Sequence, residues 1–319
     1  MTRAPVMVPC TLVLIFILTV LYDLDLFQTD DSKAFYFGES DFEYYVWLPD
    51  IICDMEEYAP YGPDTVWEPL TSWYGTKCAA QEYYTAAVDH CTNPKGMDMM
   101  KSERDPAFFV KWFDASKLLF FGMHVDDKIG ATTCMDSLFT RWFIPSMNEK
   151  FITKAVDDVS FALGANTGCD KAKGVLTFSH ETAITTFLAD NHLTEITPRS
   201  TACSQELIKR IEATEMPSTD EEKAEAMQIR PAYWKYLGWA AHIARMTVPW
   251  AITACSIAAK FMANPGKVHM ELVMYIIAHL AYVVKKKIWR RFKRPKGFNP
   301  KKSALYLCFM VDSDHRQRQ

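Results

Sequence analysis

The chain has 319 residues, 49% hydrophobic and 23% charged, a globular composition that excludes wholesale disorder and can bury one large domain or two to three subdomains. The formal net charge of -4 excludes a uniformly basic nucleic-acid binder. The charge is uneven, however: of the 35 Lys and Arg, ten lie between Lys285 and Lys302 with no acid among them, so 25 face 39 acids elsewhere. Such a stripe suits a nucleic-acid reader, and equally a solvated basic helix or a nuclear address. Nine scattered cysteines contain no C-x-x-C pair, and no N-x-S/T sequon occurs. Both facts point to a reducing, intracellular setting without a zinc site.

In chain order, Val6 to Leu21 is apolar after Arg3. It is short for a membrane span and lacks a small-residue cleavage site, so a buried helix over 12–21 is expected, with a signal or anchor as the competing reading. A short strand over 24–29 ends at Asp30. A turn-rich aromatic stretch follows, broken by Pro49, Pro60 and Pro63. Residues 79–91 read as helix and 108–113 as strand. The segment 118–131 is an apolar run, two acids and a second apolar run, the pattern of a hairpin with carboxylates at its turn. A helix is expected over 135–149. Short strands are expected over 158–164 and 174–179, with Gly164 and Gly168 between them. Helices follow over 181–190 and 204–213. Ser218-Thr219-Asp220 forms a helix cap that Ala224 and Glu225 continue only briefly. Residues 233–284 read as helical, cut by Pro249 and Pro265-Gly266. A basic linker and a last strand over 304–311, reaching Asp312, close the chain. His90, His180, His269 and His279 have no metal-type spacing and read as structural.

Three acids stand out: Asp30 at a strand end, and Asp126 with Asp127 at the hairpin turn. Crowded carboxylates repel, and Mg²⁺ relieves that repulsion through oxygen ligands. One strand-end acid and a hairpin pair suit two-metal nucleotidyl transfer. An exposed Asp-Asp turn is also an ordinary surface feature.

The surrounding residues resemble the reverse transcriptase of copia-type retrotransposons. Ala4-Pro5-Val6, the apolar helix and Gln28-Thr29-Asp30-Asp31-Ser32-Lys33-Ala34-Phe35 are similar to that family's A-P-V, helix, and Q-x-D-V-K-T-A-F. Ser72-Trp73-Tyr74-Gly75-Thr76-Lys77 resembles S-L-Y-G-L-K. Asp105-Pro106-Ala107-Phe108 resembles D-P-C-L, and His124-Val125-Asp126-Asp127 the Y-V-D-D box. Phe161 to Gly164 resembles Y-F-L-G, and Phe261 to Pro265 with His269 resembles F-M-x-x-P-x-x-x-H. The series runs in order over nearly the whole chain.

The resemblance implies an α+β fold, a reverse-transcriptase palm with a small antiparallel sheet flanked by helices. It implies a fingers remnant and palm over 1–196, a helical thumb-like region over 197–284, and a basic linker with the first RNase H strand over 285–319. It makes Asp30, Asp126 and Asp127 catalytic ligands of Mg²⁺ or Mn²⁺. Phe35 would lie beneath the incoming sugar, and Gly75 and Lys77 would belong to the loop contacting template and nucleotide. By themselves these three read as a core aromatic, a turn glycine and a solvated lysine. Implied partners are RNA or DNA template-primer, deoxynucleotides and other retroelement polyprotein parts, in the cytoplasm or nucleus, with no stable membrane association. The match begins at A-P-V, so most of the fingers are expected to be absent. His124 replaces Tyr, the Lys of D-V-K-T is displaced, and Val248 and Trp250 replace the Arg and Asp of T-R-P-D. Weak or absent polymerase activity is therefore expected. A catalytically inactive relic or nucleic-acid-binding module, and a signal-anchored membrane protein, are the competing functions.

Overall fold

The computed structural model describes residues 4–299 apart from 41–42, 48–49, 54, 56, 58–59, 61–64, 157–158 and 215–218. The strand expected over 304–311 and Asp312 lie outside the described residues. The fold is α+β, with antiparallel sheets and two helix-covered cores.

Helix α1 (Pro9–Tyr22) opens with proline at its first position, where a missing N–H costs nothing. Its buried residues Leu12, Ile15, Phe16 and Val20 face the core. Strand β1 (Asp25–Asp31) follows, then a 3₁₀ turn over Ala34–Phe37, β2 (Val46–Trp47), α2 (Asp50–Cys53), β3 (Val66–Trp67) and α3 (Ala79–Thr92). Strands β4 (Met100–Lys101), β5 (Phe108–Trp112), β6 (Leu118–His124) and β7 (Asp127–Thr132) come next, and β8 (Thr153–Val156) completes a six-stranded antiparallel sheet in the order β4-β5-β6-β7-β1-β8. The helix expected over 135–149 is wound as a π-helix over Met135–Phe143, running into α4 (Ile144–Asn148). Its Phe139 and Phe143 stack against Phe27 of β1 at 4.6 and 5.4 Å between ring centres.

A second sheet, β12-β11-β10-β9, is built from β9 (Phe161–Ala162), β10 (Ala165–Asp170), β11 (Val175–Ser179) and β12 (Arg290–Lys293). Phe16 of α1 packs on Phe178 and Phe292 of this sheet at 5.1 and 5.9 Å. Residues 165–170 are thus a strand, where the glycines suggested a turn, and Arg290–Lys293 is a strand, where the charge suggested a linker. Both pair because alternate residues, such as Thr167 opposite Phe178 and Phe292 opposite Leu176, reach the core face.

The helical unit comprises α5 (Glu181–Asp190), α6 (Gln205–Glu212), α7 (Asp220–Met246), α8 (Ile252–Ala259) and α9 (Lys267–Lys286). Ile184 and Phe187 of α5 sit in this second core, so the cores divide near His180, ahead of the boundary placed after 196. Thr219 and Glu222 form a reciprocal capping box, and α7 then runs 27 residues through Pro231 instead of stopping early. Pro231 lies on the exposed side, so water can satisfy the carbonyl its missing N–H leaves behind. Helix α9 is long and apolar enough to cross a membrane by length and composition, and 56% of its apolar window is buried inside the fold.

Candidate active site

The first sheet positions the acids. Strand β1 pairs with β7 so that Asp30 stands directly opposite Asp127. On its other side Asp30 faces Lys154 of β8. Strands β6 and β7 are joined by Val125 and Asp126, with His124 opposite Asp127. Val125 has φ 60° and Asp126 does not share the positive sign, the pattern of a type II′ turn. A β-branched residue is strained there, at a cost of about 1–3 kcal/mol. The Asp31 amide donates to the Asp126 carbonyl at 3.2 Å, tying the turn to the end of β1. The sequence-selected acids, about a hundred positions apart, therefore meet at one sheet edge.

Their mutual repulsion is visible. Partial burial raises the Asp127 carboxyl above its ordinary 3.8; the Asp126 and Asp30 charges raise it further, while Gln28 and His124 pull it down. Gln28 Nε2 donates to Asp127 Oδ1 at 3.5 Å.

Behind the edge lies a group that the sequence pattern did not single out. Asp31 and Lys128 are fully buried, with Nζ 2.5 Å from Oδ2. Tyr83 of α3 donates to the same oxygen at 2.5 Å, and Thr153 of β8 donates to Oδ1 at 2.6 Å. Strand alternation explains the division: Asp30 and Asp127 point to one face, and Asp31 and Lys128 to the helix-covered face. Burial, with Asp31 and its hydrogen bond, holds the Tyr83 hydroxyl well above its usual range. Burial likewise pushes the nearby Cys91 thiol up to about 12.

Phe35 lies on the 3₁₀ turn after β1, half-buried, with its ring 4.6 Å from that of Tyr74. Tyr74 is a site residue that the sequence reading quoted but did not select. Partial burial raises its hydroxyl pKa; Asp126, Tyr36 and Asp30 raise it further. It thus stands beside the acids and forms an aromatic wall with Phe35 and Tyr36. Gly75 follows at φ 97°, open to solvent, a conformation that glycine alone adopts freely. Lys77 is exposed just before α3. The loop is held by buried Glu82 of α3, which accepts hydrogen bonds from Ser72 and Ser40. Gly38 packs against it so closely that a Cβ would lie 2.6 Å from Ser72 Oγ and 2.8 Å from the Tyr83 amide. Asp105 of the D-P-A-F segment is a brace: its carboxylate accepts from the Val8 and Ala107 amides at 3.0 and 3.1 Å.

The donor chemistry of the edge, three carboxylates with one raised by burial and then by the others' charge, fits a hard divalent cation. Among the described residues, however, no group of three or more His, Cys, Asp or Glu side chains is arranged to hold a metal ion.

Antiparallel α+β architecture and a carboxylate-bearing hairpin define the class. The chain is 22% identical over 286 residues, 87% of its length, to a retrovirus-related Pol polyprotein from the transposon TNT 1-94 of Nicotiana tabacum. It spans about a fifth of that protein, 20%. The similarity supports an origin in a retrotransposon Pol polyprotein. No family model matches the chain, and no solved structure matches it.

Proposed function

We propose that the chain is the polymerase region of a copia-type retroelement, an RNA-directed DNA polymerase acting through Asp30, Asp126 and Asp127. The observation that carries this reading is the strand register opposing Asp30 to Asp127 beside the Asp126 turn.

In this reading the three carboxylates would supply the oxygen ligands that hold Mg²⁺ or Mn²⁺. The bound cation would lower the charge cost of a primer 3′-hydroxyl attacking the α-phosphorus of a deoxynucleotide and of the departing pyrophosphate. Phe35 and Tyr74 form the wall against which the sugar lies, excluding a 2′-hydroxyl by shape. Gly75 lets backbone approach the nucleotide closely, and Lys77 adds a cation at the loop. RNA or DNA template-primer and other polyprotein parts are the partners, in the cytoplasm or nucleus, without stable membrane attachment.

Turnover is set low by the altered frame. Val248 is buried in the helical core, and Trp250 donates from Nε1 to His279 Nε2 at 2.9 Å. Both positions where the resembling family has Arg and Asp therefore carry no charge, Val248 buried and Trp250 about half exposed. Losing one preorganised polar group costs ~10²–10³ in rate.

The test is primer extension on an RNA template with Mg²⁺ or Mn²⁺. Slow extension that Asp126→Asn abolishes supports the reading. Tight template binding without cation-dependent extension supports the second reading, a nucleic-acid-binding relic, which the uncharged Val248 and Trp250 favour.

A further inference from the structure

We propose that the face of the second sheet turned away from α1 holds a nucleic-acid strand by its phosphodiester backbone, at a site separate from the acidic edge. Strand alternation sorts the basic segment. Arg290 turns inward, its Nη1 donating to the Met246 carbonyl at 3.0 Å. Phe292 also turns inward, onto Phe16. Arg291 and Lys293 point the other way and are exposed. Two strand positions put them roughly 6.6 Å apart.

They line a groove of about 1090 Å³ with Lys173, Arg294 and Lys296. Five cations there meet one carboxylate among the lining residues, Asp170. Asp170 is bonded to Lys173 at 2.8 Å, and Arg294 reaches Asp23 at 3.0 Å. Arg291, Lys293 and Lys296 have no carboxylate partner among the described residues. The charge is fixed in place by the turn between β10 and β11. Gly174 has φ 58°, its carbonyl accepts from the Arg294 amide at 2.8 Å, and a Cβ there would lie 2.8 Å from Arg294 Nε. Gly168 keeps the floor low: a Cβ on it would stand 2.9 Å from Thr177 Oγ1.

A low, glycine-floored groove with a concentrated positive rim, in a chain whose remainder is acidic, selects an extended polyanion. Among the described residues no aromatic side chain lines it, so none of them stacks on bases. The contact is to backbone phosphate and independent of sequence. This site does not depend on catalysis at Asp126.

The experiment is fluorescence anisotropy of a labelled single-stranded DNA 20-mer, with a duplex of the same length in parallel, titrated with the full chain in EDTA across a salt series. Arg291→Gln/Lys293→Gln should reduce the salt slope by about 1.4 for single strands, at roughly 0.7 per phosphate contact, and weaken binding at least tenfold near ~0.1 M salt. Lys173→Gln/Lys296→Gln, placed in turns off the paired strands, should act in the same direction and guards against misfolding of the first variant. The charge-matched control Lys285→Gln/Lys286→Gln, at the end of α9, should leave the slope unchanged. Equal losses in control and groove variants, unchanged binding in both groove variants, or no binding by the native chain would each overturn the proposal.

Discussion

Lys128 Nζ and Asp31 Oδ2 form a fully buried ion pair at 2.5 Å, each one residue from an acid of the Asp30–Asp127 edge. Asp31 precedes the turn of chain that leads to Phe35, and Lys128 follows Asp127. The pair joins β1 to β7 on the face opposite the carboxylates and is completed by Tyr83 and Thr153. Two desolvated charges gain little net stability, but removing one partner strands the other.

Asp31→Val and Lys128→Met should therefore each destabilise the fold by about 3–5 kcal/mol, while Asp31→Val/Lys128→Met should lose clearly less than the sum of the two. Chemical denaturation of the four proteins gives the coupling directly. Additive losses in the double variant would contradict the assignment.

Asp127 makes the opposite prediction. Its folded-state carboxyl lies above the ordinary 3.8. The folded protein thus binds the proton more tightly than the unfolded chain, and stability falls as pH rises from about 3.8 through the folded value. Asp127→Asn should raise the melting temperature at neutral pH and flatten this acid-side slope. Thermal melts between pH 3 and 8 check it (the stabilising substitution is also the inactivating one).

The edge was legible because its signals are local: an apolar run ending in Asp30, and a hairpin pattern around Asp126-Asp127. Their register was not, since period-two alternation says which face a residue takes and not which strand it meets. The Asp31–Lys128 pair escaped notice because its partners are 97 positions apart, and a charged residue in a strand usually faces water. Strand β10 was hidden by Gly168, whose missing side chain serves the groove, and Arg290–Lys293 by its charge. Helix α7 was read as brief because Ala224 and Glu225 extend its cap only a little way; Pro231, a residue that ordinarily ends a helix, stays because its setting is exposed.

His180 links the two cores. It is buried, its Nδ1 is 2.9 Å from Thr247 Oγ1, and its Nε2 has no partner. Burial first, and then the neighbouring His242, lower its pKa from 6.5 to about 4. The ring is therefore neutral in the fold, and the unfolded chain takes up the proton first on acidification. Stability is full above pH 6.5 and is lost as pH falls from there towards 4, by up to roughly 3 kcal/mol at 1.36 per unit. His180→Gln should remove this component from the acid-unfolding curve, and denaturant midpoints at pH 7 and 5 measure it. An unchanged difference between the two pH values would sink the assignment.

Cation capture at the sheet edge is most directly read by titrating Mn²⁺ into the full chain and counting free ion by electron paramagnetic resonance. Native protein should bind at least one Mn²⁺ that Mg²⁺ displaces, and Asp30→Asn, Asp126→Asn and Asp127→Asn should each weaken it by tenfold or more. Native-strength binding in Asp30→Asn would contradict the account, because Asp30 would then stand opposite Asp127 without contributing to the ion.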